Sequence, residues 1–302
     1  MRKVLQQLLP PTLLDGARGI LRRARLAAYR TSPSPWTHGY NIAKHDFIRA
    51  ILADPARMAP FRSHMPLPPG HGKGIDERSV EYAWLYAHLK PGPTAFLDAG
   101  SALNFDYLLS RPELDGKEIA IITLAPERDA FWQRGISYLY GDLRHMSLRD
   151  GYFDVIACIS TLEHVGCDNS IYTGKADSSV YSESDMTAAV SDMWRTLKPG
   201  GTLYITVPFG VRRNYGSFQQ FDSALLDRAI AACAGASPVE RSFFRYAASG
   251  WQWAGEAEAS NAVFVDWICR APDNRGPRPQ EVDGAAAARA VACLALTKPA
   301  HV

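Results

Sequence analysis

What the chain has little of narrows it first. Its 302 residues hold five cysteines (Cys158, Cys167, Cys233, Cys269 and Cys293), scattered and without a CxxC pair. Most fall in apolar runs, so they read as buried thiols rather than disulfides or metal ligands. That usage suits a reducing, cytoplasmic setting. No run approaches the roughly 18 apolar residues of a membrane-spanning helix. Residues 1–10 begin basic, but their apolar run breaks at Pro10-Pro11, which argues against a signal peptide. Charge excess is also missing. A formal net charge of +2 gives no overall pull toward nucleic acid, and no such partner is expected. G-x-G-x-x-G is absent, which argues against a dinucleotide, and no internal repeat is present. With 47% hydrophobic and 21% charged residues, the chain reads as an ordinary globular protein, large enough for one α/β domain with additions.

Apolar runs and helical stripes alternate. Residues 95–98, 118–124, 136–140, 153–160 and 202–208 read as strands. Met186, Ala189, Val190, Met193, Trp194 and Leu197 mark a long amphipathic helix begun near Ser182 or Ser184. Residues 104–110, 126–133 and 221–233 read as shorter helical pieces. This alternation implies a doubly wound, mostly parallel sheet. Residues 239–246 and 290–297 add two strands, and 248–283, with Trp251, Trp253, Trp267 and a proline-rich turn, reads as an insertion. Upstream, Ala43, Phe47, Ile48, Ile51 and Leu52 repeat at helical spacing. Asp76 is placed to cap a helix whose stripe is Val80, Ala83, Trp84 and Ala87. The chain thus divides into 1–35, 36–92 and 93–298.

The chemistry concentrates at strand ends, where ligands of open α/β sheets bind. Residues 153–166 (FDVIACISTLEHVG) form an apolar strand ending at Ser160, followed by Glu163-His164. Residues 197–208 (LKPGGTLYITVP) stop a helix and start a second strand. Upstream, 96–102 (FLDAGSA) turns from strand to helix at Gly100, and Gly141-Asp142-Leu143 ends another strand. In this order and spacing the four stretches resemble class I S-adenosylmethionine-dependent methyltransferases, over roughly residues 76–298. The resemblance implies a Rossmann-like sheet of seven strands with an antiparallel edge hairpin, S-adenosylmethionine as cofactor, and a helix near residue 80 that closes over it. It leaves the acceptor open.

The candidate cofactor residues are Asp98, Gly100, Ser101, Ala102, Thr123, Asp142, Leu143 and Ser160. Gly100 permits a tight turn and close approach, and the helix beyond would offer free N–H groups to the cofactor's carboxylate. A plain strand-to-helix turn is the alternative, and Ala102 and Asn104 stand where the family commonly has glycine. Thr123 stands where the family has an acid for the ribose; Glu127 reads either as a substitute that reaches back or as a residue that faces water. Asp142 is placed either to accept from the adenine amino group or to cap its own turn. Glu163 and His164 are the catalytic candidates. They read as a general base near the acceptor, as structural groups, or as part of a metal site. Ser160 stands where the family's Glu-x-x-Glu-His has its first ligand, so no metal is expected. The polar loop 166–182, with Asp168, Asn169, Tyr172 and Lys175, suits an acceptor wall. Arg212 and Arg213 read either as holders of a substrate phosphate or carboxylate or as part of a solvated loop.

The function that follows is methyl transfer to a small-molecule or glycan acceptor. The opening 9–15 (LPPTLLD) resembles methyltransferases encoded with bacterial surface-polysaccharide genes, which points to a sugar or glycolipid. The alternative is a non-catalytic protein that keeps the fold for binding or scaffolding. Residues 1–30 carry seven basic residues against the single acid Asp15. They read either as a basic amphipathic helix on an anionic membrane surface, limited in length by Pro10-Pro11 and Gly16, or as a solvated or packed segment.

Overall fold

In the computed structural model, residues 11–174, 182–265 and 281–300 are described. Residues 1–10, Lys175, Trp267, Cys269 and the proline-rich stretch within 266–280 lie outside them.

The sheet grows from strands too apolar to face water. Strand β1 (Ala95–Ala99) is buried along its whole length, as is most of β4 (Phe153–Ile159). Such runs belong inside a parallel sheet covered on both faces. With β2 (Glu118–Thr123), β3 (Ser137–Tyr140) and β5 (Leu197–Pro208) they form a parallel set. A two-residue pair, β6 (Arg213–Asn214) and β7 (Gln219–Gln220), stands apart. The main sheet is completed by β8 (Val239–Ala247), β9 (Gly250–Ala254) and β10 (Ala290–Thr297). Its order is β3-β2-β1-β4-β5-β10-β8-β9, antiparallel from β5 outward. The fold is the expected Rossmann-like one, with one strand more than the seven expected. The extra strand, β9, lies in the stretch read as an insertion. Gly250 (φ +98°) turns the chain back on β8.

Side chains of a strand alternate between faces, and the two faces have different covers. Leu97 and Ile156 pack under one cover. It holds α7 (Glu183–Thr196) and α8 (Ser223–Ala231). Phe96 and Ile121 pack under the other. That cover is a cap of α2 (Tyr40–Ala53), α3 (Pro55–Ser63) and α4 (Arg78–His88). Helix α4 is buried almost all round, Ser79 and Glu81 included. Asp76 accepts from the Arg78 N–H at 3.3 Å, but its carboxylate also holds Lys44 (2.7 Å) and Tyr40 (3.0 Å). The N-cap position itself is Glu77, so Asp76 serves mainly to tie α2 to the start of α4.

The linker expected to be helical at 126–133 holds only a 3-10 turn, Trp132–Arg134. That segment has no apolar stripe to bury, and its backbone is bound by side chains instead. Asn104 donates to the Asp129 carbonyl (2.8 Å), and the Phe131 N–H donates to Tyr138 (2.8 Å). Likewise the piece at 104–110 is the single turn α5 (Asp106–Leu109). Helix α1 (Pro11–Thr31) is not interrupted at Gly16; it runs through Gly16 and Gly19, each of which costs about 1 kcal/mol relative to alanine. Its last turn is packed, with Tyr29 buried against Tyr40.

The cap is stapled to the far edge of the sheet. The Trp251 indole N–H donates to the Ile75 carbonyl (3.0 Å) and its backbone N–H to the His71 carbonyl (2.8 Å). Gln252 exchanges two bonds with the Leu67 backbone, at 2.9 and 3.0 Å.

Candidate functional site

The strand order reverses between β1 and β4, and a crevice opens at their carboxyl ends, where such sheets bind ligands. A cavity of about 350 Å³ lies there, within the usual size range for small-ligand sites. The loops after β1, β2, β3 and β4 all contribute to its wall, together with Arg78 from the cap.

The loop after β1 is held from behind. Asp98, fully buried, accepts the Leu103 N–H (2.8 Å) and the Ala102 N–H (3.2 Å). Burial pushes its carboxyl up to about 7, although these bonds favour the charged form. Asp98 therefore shapes the loop and does not line the cavity. No helix starts directly after the turn: the loop N–H groups of Ala102 and Leu103 are spent on Asp98, and α5 begins only at Asp106. Gly100 has φ +117°, and a Cβ there would come 2.1 Å from Thr161 Oγ1. It lets the loops after β1 and β4 meet. Ser101 and Ala102 line the cavity, and the Ser101 Oγ is buried without a partner. Asn104, where the family commonly has glycine, is not idle: it accepts from Tyr138 (2.8 Å) and anchors the β2–β3 link.

Thr123 ends β2 half-buried on the wall, beside Leu124 and Glu127. Asp142 and Leu143 line the next stretch. Asp142 caps its own turn, accepting the Arg144 N–H (2.8 Å), and its oxygens also hold the Arg144 guanidinium at 2.6 to 3.0 Å. Burial pushes the Asp142 carboxyl up, but Arg144 outweighs it and holds it below its ordinary value. Arg144 also reaches Asp185 of α7 at 2.6 Å.

Ser160 lines the cavity at φ +38°, and its hydroxyl donates to Glu81 (2.7 Å). The other Glu81 oxygen is paired with the Arg78 guanidinium. Arg78, 23% exposed, is thus held at the wall by a fully buried acid. From sequence Arg78 and Glu81 read only as part of the polar edge of the helix near residue 80, with no site role of their own. The signal present was two opposite charges three apart on an otherwise apolar helix.

Glu163 and His164 part company. Glu163 is buried outside the lining, with Oε2 unpartnered, and burial raises its pKa well above the carboxylate range. It does not reach the cavity. His164 does. Its Nδ1–H donates to the Ser217 carbonyl (2.7 Å), which leaves Nε2 as an acceptor, 3.4 Å from the Tyr172 hydroxyl. Burial lowers its pKa to about 4. Asn169 and Tyr172, the latter on the single turn α6 (Ser170–Thr173), line the same end, so the loop read as an acceptor wall does reach the cavity. Asp168 is not in the lining, and neither are Arg212 and Arg213, which are exposed. Among the described residues no group of three or more His, Cys, Asp or Glu is placed to hold a metal ion. Cys158, Cys167, Cys233 and Cys293 are buried free thiols.

Residues 99–205, from the end of β1 into β5, match a protein family described as a methyltransferase domain. The chain is also similar to solved structures. The [4+2]-cyclase SpnF is 20% identical over 71% of this chain and 78% of that one, with a TM-score of 0.43. The 1,6-didemethyltoxoflavin-N1-methyltransferase of Burkholderia thailandensis was solved with 1,6-didemethyltoxoflavin and S-adenosylhomocysteine bound. It is 14% identical over 97% of this chain and 92% of that one, with a TM-score of 0.42. The N-methyltransferase NodS of Bradyrhizobium japonicum WM9 is 15% identical over 69% and 88%, with a TM-score of 0.37. At these identities and scores the likenesses say nothing of this chain's reaction. No curated protein matches the chain in sequence.

Proposed function

We propose that the chain is an S-adenosylmethionine-dependent methyltransferase acting on a small acceptor. The observation that carries this reading is the cavity at the strand-order reversal, most of whose wall falls within the matched methyltransferase segment. The residues present fit the cofactor. A buried hydroxyl without a partner (Ser101) and a cation held at the wall (Arg78) suit its amino-acid end. Thr123 and Glu127 suit the ribose, and Asp142 and Leu143 suit the adenine. When bound, the cofactor supplies an electrophilic methyl group on a sulfonium.

The protein's own part is alignment and exclusion of water. Gly100 keeps the loops after β1 and β4 in contact, and residues 36–92 act as a cap whose Arg78 closes one side. Ser160 and Arg78 share Glu81 and so hold one geometry. His164 presents the Nε2 lone pair to the acceptor, its tautomer fixed by the Ser217 carbonyl. A base with pKa near 4 accepts a hydrogen bond well but carries off a proton poorly near neutral pH. His164 therefore orients the attacking group. An amine would attack as the neutral base and lose its proton to water afterwards, whereas a sugar hydroxyl would pass its proton by way of Nε2 to water as the new C–O bond forms. A sugar or glycolipid is the proposed acceptor class, worked on from the cytoplasmic side of a membrane.

A second reading, a non-catalytic protein that keeps the fold, draws on two observations. Asp142 is already satisfied by Arg144, and Thr123 offers the ribose no charge. Titration calorimetry with S-adenosylhomocysteine separates the readings. Methyltransferase function requires micromolar binding, about −8 kcal/mol. No heat at millimolar ligand, with folded protein, rejects it.

A further inference from the structure

Helix α1 sits on the protein with the wrong face for a helix that only caps a core. Amphipathic helices of soluble proteins turn their apolar stripe inward. Here the inward positions are Gly19, Leu26 and Tyr29, which are half-buried or buried, and Arg22, which pairs with Asp46 of α2. These positions follow one another at spacings of three and four, so they form one face. The apolar stripe lies on the opposite face. Ala17, Ile20, Leu21, Ala24, Ala27 and Ala28 also follow at spacings of three and four, and every one is exposed. Ile20 is 70% exposed and Leu21 49%. Exposed arginines flank the stripe on both sides, Arg23 and Arg30 along one border and Arg25 along the other. No described helix is long and apolar enough to cross a membrane.

We propose that α1 is a docking helix that lies flat on an anionic lipid surface, its outward stripe in the headgroup boundary and its bordering arginines on lipid phosphates. Charge decides between this occupant and a second copy of the chain. Two copies that paired their stripes would bring arginine borders against arginine borders, with Asp15 the single acid in the first thirty residues to offset them. An anionic bilayer answers the stripe and both borders at once. The stripe is mostly alanine and therefore shallow, so electrostatics carries most of the attachment and makes it reversible. Tyr29, packed on Tyr40 and T-shaped to it, fixes the helix to the cap at its last turn.

The test uses the full chain and vesicles of phosphatidylcholine with or without about a third phosphatidylglycerol. Co-sedimentation is expected with the anionic vesicles alone. Attachment should fall steeply as salt rises toward about 0.5 M, where screening shortens to a few ångströms. Arg23→Glu with Arg25→Glu should weaken it by at least about fivefold per residue, one arginine contributing about that factor. Arg23→Lys with Arg25→Lys should retain it. Ile20→Ser with Leu21→Ser should weaken it without changing thermal stability, since both side chains face solvent. Equal sedimentation with neutral and anionic vesicles, or none with either at low salt, overturns the proposal. So does a concentration-dependent dimer, in the absence of lipid, that Ile20→Ser with Leu21→Ser abolishes, because the stripe would then be a self-association surface. Vesicle attachment is read without turnover, so its failure leaves the methyl-transfer reading untouched, and calorimetry with S-adenosylhomocysteine fails or succeeds independently.

Discussion

At the scale of single residues, Gly100 and Arg78 do opposite things to the cavity, and both can be tested. A Cβ on Gly100 would collide with Thr161 while φ +117° disfavours any side chain. Gly100→Ala should therefore push the two loops apart and abolish S-adenosylhomocysteine binding in calorimetry, with the sheet intact by circular dichroism. Arg78→Met keeps the aliphatic stem and removes the charge. A charge-assisted bond contributes about 1.5–3 kcal/mol, so affinity for the same ligand should drop by roughly tenfold or more. Gly100 was legible in the sequence because its conformational demand is local. Arg78 was not, because its role depends on a cap brought to the cavity by contacts far along the chain. Asp98 was half legible: the loop was found, but burial turned its carboxylate into a backbone clamp. Glu163 and His164 are neighbours in sequence, yet a single 3-10 turn sends one into the core and the other to the cavity. His164→Ala should lower turnover by roughly ten- to a hundredfold and leave cofactor affinity unchanged, as steady-state kinetics with an identified acceptor would show.

At the scale of elements, the five parallel strands could be read from the sequence, because a strand buried on both faces is written as a continuous apolar run; β6, β7 and β9, short or partly exposed, could not. The connections were less legible. The segment 126–133 has the proline and acids that suit a helix start, but no stripe that burial would reward. Helix α4 shows the reverse, a helix whose polar residues Ser79 and Glu81 are interior because partners await them. The loop before it carries His71, 7% exposed, its ring tilted against Phe61 and edge-on to Phe47. Burial lowers its pKa to about 4. In the unfolded chain it titrates near 6.5. Between those values the unfolded state binds a proton that the folded state refuses, so stability is lost as pH falls from about 6.5 toward 4. Asp98, pushed up to about 7, contributes in the opposite sense over the same range. A variant comparison isolates the histidine: His71→Phe should shrink the loss in melting temperature between pH 7 and pH 5, measured by circular dichroism.

At the scale of the whole molecule, the last hairpin and the cavity are one mechanical unit. Trp251, fully buried, reaches from β9 to Ile75, three residues before Arg78. Trp251→Ala should cost about 3–5 kcal/mol of stability, and in whatever remains folded it should also weaken S-adenosylhomocysteine binding, since the cap loses its hold on the sheet. Unchanged affinity in a destabilised but folded variant would show that the cap is placed by α2 and α3 alone.

The position of β10 has a consequence for how the protein comes into being. This strand follows β8 and β9 in the chain, yet it stands inside the sheet, between β5 and β8. A ribosome that has released everything up to residue 285 has delivered a parallel half-sheet with an open apolar edge and a hairpin with nowhere to dock. Long-range pairing of this kind is slow and leaves strand edges exposed while it waits. Until Ala290–Thr297 emerges, the nascent chain should therefore be prone to aggregate. A stop codon at Ala290, which removes β10 and all that follows it, should leave an insoluble product rather than a weakened but folded one.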